Sequence, residues 1–425
     1  MLTEAFFRSS TRPTPPRDAS IDSTLDFLRE TYSFGINRFE KYGTDIFEAR
    51  LMLSKALFLR GDGAARLFYE GDRFTRVRAN PQTTLRLLQD KGSVQQQNGS
   101  AHRHRKALFM SLMTPEALEK MRKLVNEEWR SAAKRWEKRR KVVLFGEVEE
   151  ILCRAVCLWA GVPLFENEVK ARTREFGGMI DGAGSFGIRN ARGAILRTRT
   201  ERWARQLIAD IRLNRLSPSR ETAAYKIAFF QDLDGKVLPV EVAAVELLNI
   251  LRPTVAVARF VVFGALALHQ YPQVSAGDFA DAGFAQRFAL EVRRYYPFFP
   301  MIGGRATETF VWHEFEIKKG QWALLDLYAT NHDPRLWTKP GEFRPDRFLE
   351  QEISGFNFVP QGGGAYATSH RCPGESLTDE IMRVSMRFLR EEMSYEVPKQ
   401  ELSIDISRLP AVVKSGFVIK RVRAL

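Results

Sequence analysis

Cys372 closes a glycine-rich stretch, Phe358-Val359-Pro360-Gln361-Gly362-Gly363-Gly364-Ala365-Tyr366-Ala367-Thr368-Ser369-His370-Arg371-Cys372. Pro373-Gly374-Glu375 follows at once and opens an amphipathic run to about Met393. A thiol at a helix start feels the positive end of the helix dipole, which lowers its pKa and suits it to act as a ligand or nucleophile. Glycines let backbone come close to a large flat object and leave N–H groups free to turn toward the sulfur. Those needs match a thiolate that ligates haem iron. A buried structural cysteine beside an ordinary loop fits the same residues, so the context must decide.

Two further motifs supply that context. Glu291-Val292-Arg293-Arg294 sets Glu291 and Arg294 three apart on one helix face, a spacing that allows an ion pair. Downstream lie Asn331-His332-Asp333-Pro334-Arg335 and Pro340-Gly341-Glu342-Phe343-Arg344-Pro345-Asp346-Arg347-Phe348. A Glu-x-x-Arg helix, a Phe-x-Pro-x-Arg-Phe meander and a cysteine loop, in this order, resemble a cytochrome P-450. The resemblance implies haem b as cofactor, Cys372 as its axial ligand and Arg371 beside it in the cofactor site. It also implies a structural triad of Glu291, Arg294 and Arg347. One departure is informative: the usual loop has Phe seven and Gly four residues before the cysteine, where this chain has Ala365 and Thr368. The lengthened Pro-Gln-Gly-Gly-Gly approach resembles the bacterial fatty-acid peroxygenase branch of the family.

The most apolar segment carries the second departure, Glu246-Leu247-Leu248-Asn249-Ile250-Leu251-Arg252-Pro253-Thr254-Val255-Ala256-Val257. Monooxygenases of the family hold an acid-alcohol pair here, whereas this chain has Arg252-Pro253. Proline inside a helix costs ~3 kcal/mol, and an unpaired interior arginine adds a further penalty. Either Arg252 snorkels to a surface carboxylate, or it awaits one that arrives with the substrate through two parallel charge-assisted hydrogen bonds. On the second reading, a fatty-acid carboxylate on Arg252 replaces the missing acid-base group in handling hydrogen peroxide. A head group pinned there exposes only the first carbons of the tail, so hydroxylation is expected at the α or β carbon, with minor decarboxylation to a terminal alkene.

The segment Ser93 to Met110 adds His102 and Lys106, four apart on one helix face. This branch resembles a His-x-x-x-Lys pair that holds the haem propionates; a solvated cationic face is the plainer reading. Seven residues before His102 stands Gln95, where the branch has Gln in hydroxylating members and His in decarboxylating ones. Gln96 and Gln97 leave a one-residue slip open. Gln89 falls where relatives hold an apolar, selectivity-setting residue. The resemblance makes Arg252, Pro253 and Gln95 the catalytic set, and Phe298 and Phe299 expected lining of the acyl pocket.

The partners implied are a long-chain fatty acid and hydrogen peroxide, with no reductase or ferredoxin, no nucleic acid and no membrane span. A redox-partner-driven P-450 of another substrate class is the alternative, distinguished by turnover with peroxide alone. A cofactor-free nucleic-acid binder is a second, distinguished by colour. The net charge of +14 permits nucleic-acid binding. The densest basic run, Lys134 to Lys141, sits in a helical pattern and reads as a solvated face. Three cysteines (Cys153, Cys157, Cys372) make no disulfide framework, so a reducing, cytoplasmic setting of bacterial type is expected. Cys153 and Cys157 read as small core residues.

The elements that must hold these groups are mostly helical. Asp22–Tyr42, Pro115–Arg140, Val142–Trp159, Glu201–Arg215 and Val240–His269 carry helical patterns, with Thr114-Pro115 a cap signal. Phe47–Leu59, Phe310–Leu325 (broken at Lys318-Lys319-Gly320) and the stretch after Tyr395 read as strands. The expected fold class is mainly α, a cytochrome P-450 fold with small β-sheets. Residues 1–20, rich in Pro, Ser, Thr and Arg, are expected to form a flexible tail, and residues 21–425 one haem-thiolate catalytic domain.

Overall fold

In the computed structural model, residues 13–89 and 92–425 are described. Helix α6 (Pro115–Trp136) shows how the pattern becomes structure. The Thr114 side chain accepts the Ala117 N–H at 3.2 Å and Pro115 takes the first turn. Met121, Val125, Trp129, Ala132 and Trp136 then recur at helical spacing and are all buried. The helix stops at Trp136 rather than Arg140, because the chain turns there into strand β4 (Val142–Val143). Lys134, Arg135 and residues 137–141 are exposed, as a solvated face requires.

The remaining helices, in chain order, are α1 (Thr24–Glu30), α2 (Ser33–Tyr42), α3 (Gly61–Tyr69), α4 (Gln82–Leu88) and α5 (Gly99–Met110). After α6 come α7 (Leu144–Ala160), α8 (Glu166–Ala183), α9 (Ile188–Arg212), α10 (Ala223–Ala228), α11 (Val240–Ala256) and α12 (Ala258–Gln270). The last are α13 (Ala282–Tyr295), α14 (Leu327–Asn331), α15 (Arg347–Glu350) and α16 (Glu375–Arg387). Helices α6, α7, α11, α12, α13 and α16 surround the largest apolar core, to which Cys153 and Cys157 belong. The apolar run Val240–Gln270 is long and apolar enough to cross a membrane, yet 94% of its most apolar window is buried inside the protein. It is the central core helix pair.

Strands β1 (Ile46–Leu51), β2 (Ser54–Leu59), β3 (Phe74–Thr75), β5 (Met301–Ala306) and β8 (Trp322–Asp326) form one sheet in the order β1-β2-β8-β5-β3. Only the β2–β8 pairing is parallel. Strands β6 (Phe310–Trp312) and β7 (Phe315–Ile317) make a hairpin beside it, so the expected Phe310–Leu325 strand is three strands. Near the C-terminus, β12 (Val418–Ala424) joins β4 and β9 (Met393–Glu396), while β10 (Ile404–Asp405) pairs with β11 (Val412–Val413).

Several boundaries differ from the sequence pattern for local reasons. The helix expected over 22–42 breaks at Thr31, whose φ of 48° no helix accommodates, and the break lets Tyr32 reach the Phe298 carbonyl and the Ala411 N–H. Phe47–Leu59 is a hairpin turned at Met52 and Leu53 (φ 52° and 61°), without the glycine or asparagine that usually marks such a turn. Helix α9 begins thirteen residues before the expected Glu201 (201 − 188) and ends at Arg212. The long run at 240–269 divides at Val257; Pro253 lacks the N–H that the Asn249 carbonyl would otherwise accept, and the ladder resumes four residues later. Of the tail expected over 1–20, residues 1–12 lie outside the described residues. Beyond them the chain is docked, with Asp18 N–H on the Glu48 carbonyl and Glu48 N–H on the Pro16 carbonyl, both at 2.8 Å.

Candidate functional site

The triad expected from the motifs forms completely. Arg294 donates Nε and Nη2 to the two oxygens of Glu291, each at 2.8 Å, and Arg347 Nε reaches the same carboxylate at 3.1 Å. All three side chains are buried. Arg294 Nη1 also binds the Asn331 carbonyl at 3.0 Å, and the Asn331 side chain accepts Val359 N–H at 3.0 Å. One buried network therefore anchors both the meander and the first turn of the cysteine loop. Buried charges persist only when matched this way.

Within that loop, Gly362 and Gly364 adopt φ of 91° and 84°. A Cβ on Gly362 would lie 2.9 Å from the Tyr69 hydroxyl, so glycine is needed there for conformation and for space. Cys372 N–H donates to the Gln361 carbonyl at 3.1 Å, and Gln361 Nε2 approaches Sγ at 3.8 Å. Burial pushes the Cys372 thiol up, against the opposing Gly374 N–H and the charges of Lys106 and Arg293. The lowered pKa expected at the start of α16 is thus not realised by protein groups alone, because loss of water outweighs the dipole. Such a thiol ionises on binding a metal cation.

A continuous space opens at the sulfur. A cavity of about 220 Å³ runs between the loop and α11, bounded by His102, Lys106, Asn249, Pro253, Val257 and Cys372. A second, of about 260 Å³, shares Gln95, Pro253, Val257, Gln361 and Cys372 with it and adds Arg252, Phe298 and Phe299. A third, of about 460 Å³, lies past His102 and His370 and contains Tyr69 and Arg76.

These residues fit a flat, anionic, iron-bearing macrocycle. Cys372 lines the slot beside the buried, unpartnered Gln361 Oε1, while Tyr69 and Arg76, close enough to interact with each other, line the third cavity. Arg76 is buried, with Nη1 on the Gly303 carbonyl at 2.8 Å and no carboxylate within ion-pair range among the described residues. His102 stacks on His370 with ring centroids 3.7 Å apart. Burial pushes His102 down to about 4 and Lys106 to about 8. Arg76 and Lys106, buried and poorly compensated cations, with the neutral His102 between them as a hydrogen-bond donor, suit carboxylate arms. Among the described residues no group of three His, Cys, Asp or Glu side chains could hold a bare metal ion, so a lone thiolate on a metal carried by an organic ring is the consistent arrangement.

Arg252 is buried on α11 and borders the same chamber as Cys372. Its Nη1 donates to the Leu87 carbonyl at 3.1 Å, and Nη2 to the Leu88 carbonyl at 2.6 Å and to Asn249 Oδ1 at 3.1 Å. Among the described residues no carboxylate lies within 4 Å of it. With Arg252 buried and no described carboxylate in reach, nothing among the described residues supports the snorkelling alternative. Burial, with Arg197 nearby, lowers its pKa well below the ordinary range, the signature of a cation that lacks an anion.

Gln95 enters the chamber and accepts Asn249 Nδ2 at 3.1 Å, whereas Gln96 turns away to Gln89 Oε1 at 2.8 Å. Of the three glutamines, Gln95 is the one that borders both cavities at Cys372. Gln89 also borders the chamber. Phe298 and Phe299 meet edge to face, with Phe298 also 4.4 Å from Phe260. Beyond Phe299, an apolar cavity of about 140 Å³ leads outward past Phe27, Leu51, Ala183 and Leu409. Lys106 reaches the Arg371 carbonyl. Arg371 lines the sulfur cavity, but its Nε is committed to Glu375 at 2.6 Å, and Arg293 binds the other Glu375 oxygen at 2.5 Å. Its contribution is to brace the start of α16.

The motifs overlooked Arg76, the His102–His370 stack and Gln361, all of which depend on contacts between distant segments. Asn249 and Glu246 were findable: with Arg252 they recur every three residues on α11. Glu246 accepts Arg105, Val94 N–H and Asn249, and so closes a buried polar chain from Arg252 inward.

The family model described as cytochrome P-450 matches residues 267–418. A point mutant of cytochrome P450SP alpha (CYP152B1) is 42% identical, with 95% of this chain and 100% of that chain covered at a TM-score of 0.93. Cytochrome P450EX alpha (CYP152N1), solved with myristic acid, is 40% identical, with 97% and 100% covered and the same TM-score of 0.93. A variant of cytochrome P-450 OleT in complex with arachidonic acid is 35% identical, with 97% and 99% covered at 0.94. Among curated proteins, xanthotoxin 5-hydroxylase CYP82C2 of Arabidopsis thaliana is 29% identical over 149 residues, which is 33% of this chain and 27% of that protein. The chain thus matches about a quarter of the length of that relative.

Proposed function

This chain belongs to the cytochrome P-450 family, and we propose that it uses hydrogen peroxide to hydroxylate long-chain fatty acids at the α or β carbon. The observation that carries the reading is Arg252, a buried guanidinium that meets no carboxylate among the described residues and borders the chamber that contains Cys372. Similar structures were solved with myristic and arachidonic acid, each a carboxylate on a long apolar tail. The outward cavity past Phe299 offers such a tail an apolar path.

Cys372 would ligate haem b, with Arg76, His102 and Lys106 toward its carboxylate arms; bound there, the haem supplies peroxide-driven oxidation of a C–H bond. Arg252 binds the substrate carboxylate through charge-assisted hydrogen bonds from the N–H groups left free when Asn249 and two backbone carbonyls orient it. By holding that carboxylate near the sulfur cavity, Arg252 lets one carboxylate oxygen take a proton from one peroxide oxygen and return it to the other. Pro253 leaves no acid-alcohol pair on α11 to do so. Phe260, Phe298 and Phe299 keep the first carbons of the tail in a dry space beside the head group. Peroxide brings both the oxygen atom and the oxidising equivalents, so the reading needs no reductase or ferredoxin, and a cytoplasmic site suits the free cysteines.

The test is turnover of a saturated C14 or C16 acid by the haem-loaded protein with peroxide alone, with products identified by mass spectrometry. Formation of 2- and 3-hydroxy acids is expected. Product that appears only with a reductase and a nicotinamide cofactor would overturn the reading.

A further inference from the structure

A separate cavity of about 240 Å³ lies between α8 and α9, away from the sulfur chamber. It is lined by Glu149 and Asp181 and by Arg174, Arg189, Arg192 and Arg408, of which Arg174, Arg189 and Arg192 are exposed at its rim. Asp181 is already neutralised, accepting Arg259 at one oxygen and Arg408 at the other, both at 2.6 Å. Arg259 is buried, and its Nη1 comes no closer than 3.9 Å to Glu149. Buried nitrogens remain without hydrogen bonds here, namely Arg259 Nε and Nη1 and Arg408 Nε. Among the described residues Arg174, Arg189 and Arg192 have no ion-pair partner. Four guanidinium groups and two carboxylates thus line the cavity, with the buried Arg259 paired to Asp181 behind it, and three of the four arginines are left without an anion among the described residues.

The shape of the deficit selects the ligand. A carboxylate offers two oxygens, whereas a phosphate group offers three on its free side, one for each unpaired guanidinium. Gly177 lets the Glu149 carboxyl approach α8 closely, since a Cβ there would lie 2.8 Å from Glu149 Oε1. Helix α9, of 25 residues, starts at Ile188 with no capping side chain, so its positive end faces the same region as Arg189 and Arg192. Burial pushes Glu149 up to about 7, which leaves it partly protonated near neutrality and able to donate rather than repel.

We propose that this cavity is a binding site for a phosphate group, carried on a small anion or on a lipid headgroup. The site does not depend on the role of Arg252. It shares α8 with the outer acyl cavity, whose lining includes Ala183 and Leu409, the neighbour of Arg408.

Calorimetry on the haem-loaded full chain tests it, with inorganic pyrophosphate as one probe. Vesicles of phosphatidylcholine, with and without phosphatidic acid, are the other. Saturable 1:1 binding to the wild type is expected, weakened about tenfold or more in the Arg189→Gln/Arg192→Gln double variant. A Lys138→Gln/Arg140→Gln variant removes the same charge from the exposed basic run and should bind as wild type. Pyrophosphate binding without vesicle capture assigns the phosphate to a free anion. Capture that requires phosphatidic acid and is lost in the double variant assigns it to a lipid. No saturable binding of either probe, or equal weakening in both double variants, would overturn the proposal.

Discussion

Asn249 accepts Arg252 Nη2 on its side-chain oxygen and donates its side-chain nitrogen to Gln95, both at 3.1 Å. One amide thus ties the Arg252 guanidinium to Gln95, which borders the sulfur cavity. Glu246 fixes the amide from behind at 3.0 Å and is itself held by Arg105 at 2.8 Å. Arg252 and Gln95 are therefore held in one buried hydrogen-bond network, which bears on the following expectations.

Arg252→Leu should lower peroxide-driven hydroxylation of long-chain acids by about a hundredfold or more, the range for losing a positioned acid-base group. Haem content should be unchanged, since Arg252 makes no contact with the cysteine loop. A short carboxylic acid seated on Arg252 should let the wild type oxidise substrates that lack a carboxylate, and the variant should not respond. Full activity of Arg252→Leu on a C16 acid would contradict the role.

Gln95→His should raise the terminal-alkene fraction modestly. A neutral amide at this position offers no titratable proton near the β carbon, so the wild type should give mainly 2- and 3-hydroxy acids. Chromatographic product ratios from one saturated acid decide the matter; mostly alkene from the wild type would remove Gln95 from the argument.

Cys372→Ala should abolish the red-shifted Soret band of the reduced, carbon-monoxide-bound protein, together with turnover. Spectra of the purified variant suffice. Retention of that band would move the ligand elsewhere.

Glu291→Ala should be among the most damaging substitutions outside the chamber. It strands Arg294 and Arg347 as buried cations, a loss of about 3–5 kcal/mol, measured by denaturant unfolding. Because Arg294 also holds the Asn331 carbonyl, weaker haem retention should accompany the loss.

Asp326 caps α14 through Ala329 N–H at 2.8 Å, and its burial pushes its pKa up to about 7. Between its ordinary value near 4 and about 7, the folded protein holds a proton that the unfolded chain has released. Asp326 therefore lowers stability as pH rises through that window, with the full penalty above it. Asp326→Asn keeps the accepting oxygen and carries no charge. Unfolding at pH 5 and pH 8 should show the variant gaining on the wild type at the higher pH; a constant difference would refute this.

The family and the triad were legible in the sequence because each depends on residues close in the chain: the loop that ends in Cys372-Pro373-Gly374, three-residue spacing in Glu291 and Arg294, and the meander around Arg347. The anomaly of Arg252-Pro253 was equally plain, since a charge and a helix breaker in an apolar segment violate local rules regardless of fold. What sequence could not tell was whether Arg252 finds an anion. That is decided by packing, which brings the carbonyls of Leu87 and Leu88 to it across more than 160 residues and no carboxylate from the described chain. Tertiary structure likewise reversed the expected pKa shift of Cys372, because desolvation is a property of the filled core and the helix dipole only of the local chain. It also brought in Arg76 from a strand edge and His370 from the loop to flank His102, a grouping that no spacing encodes.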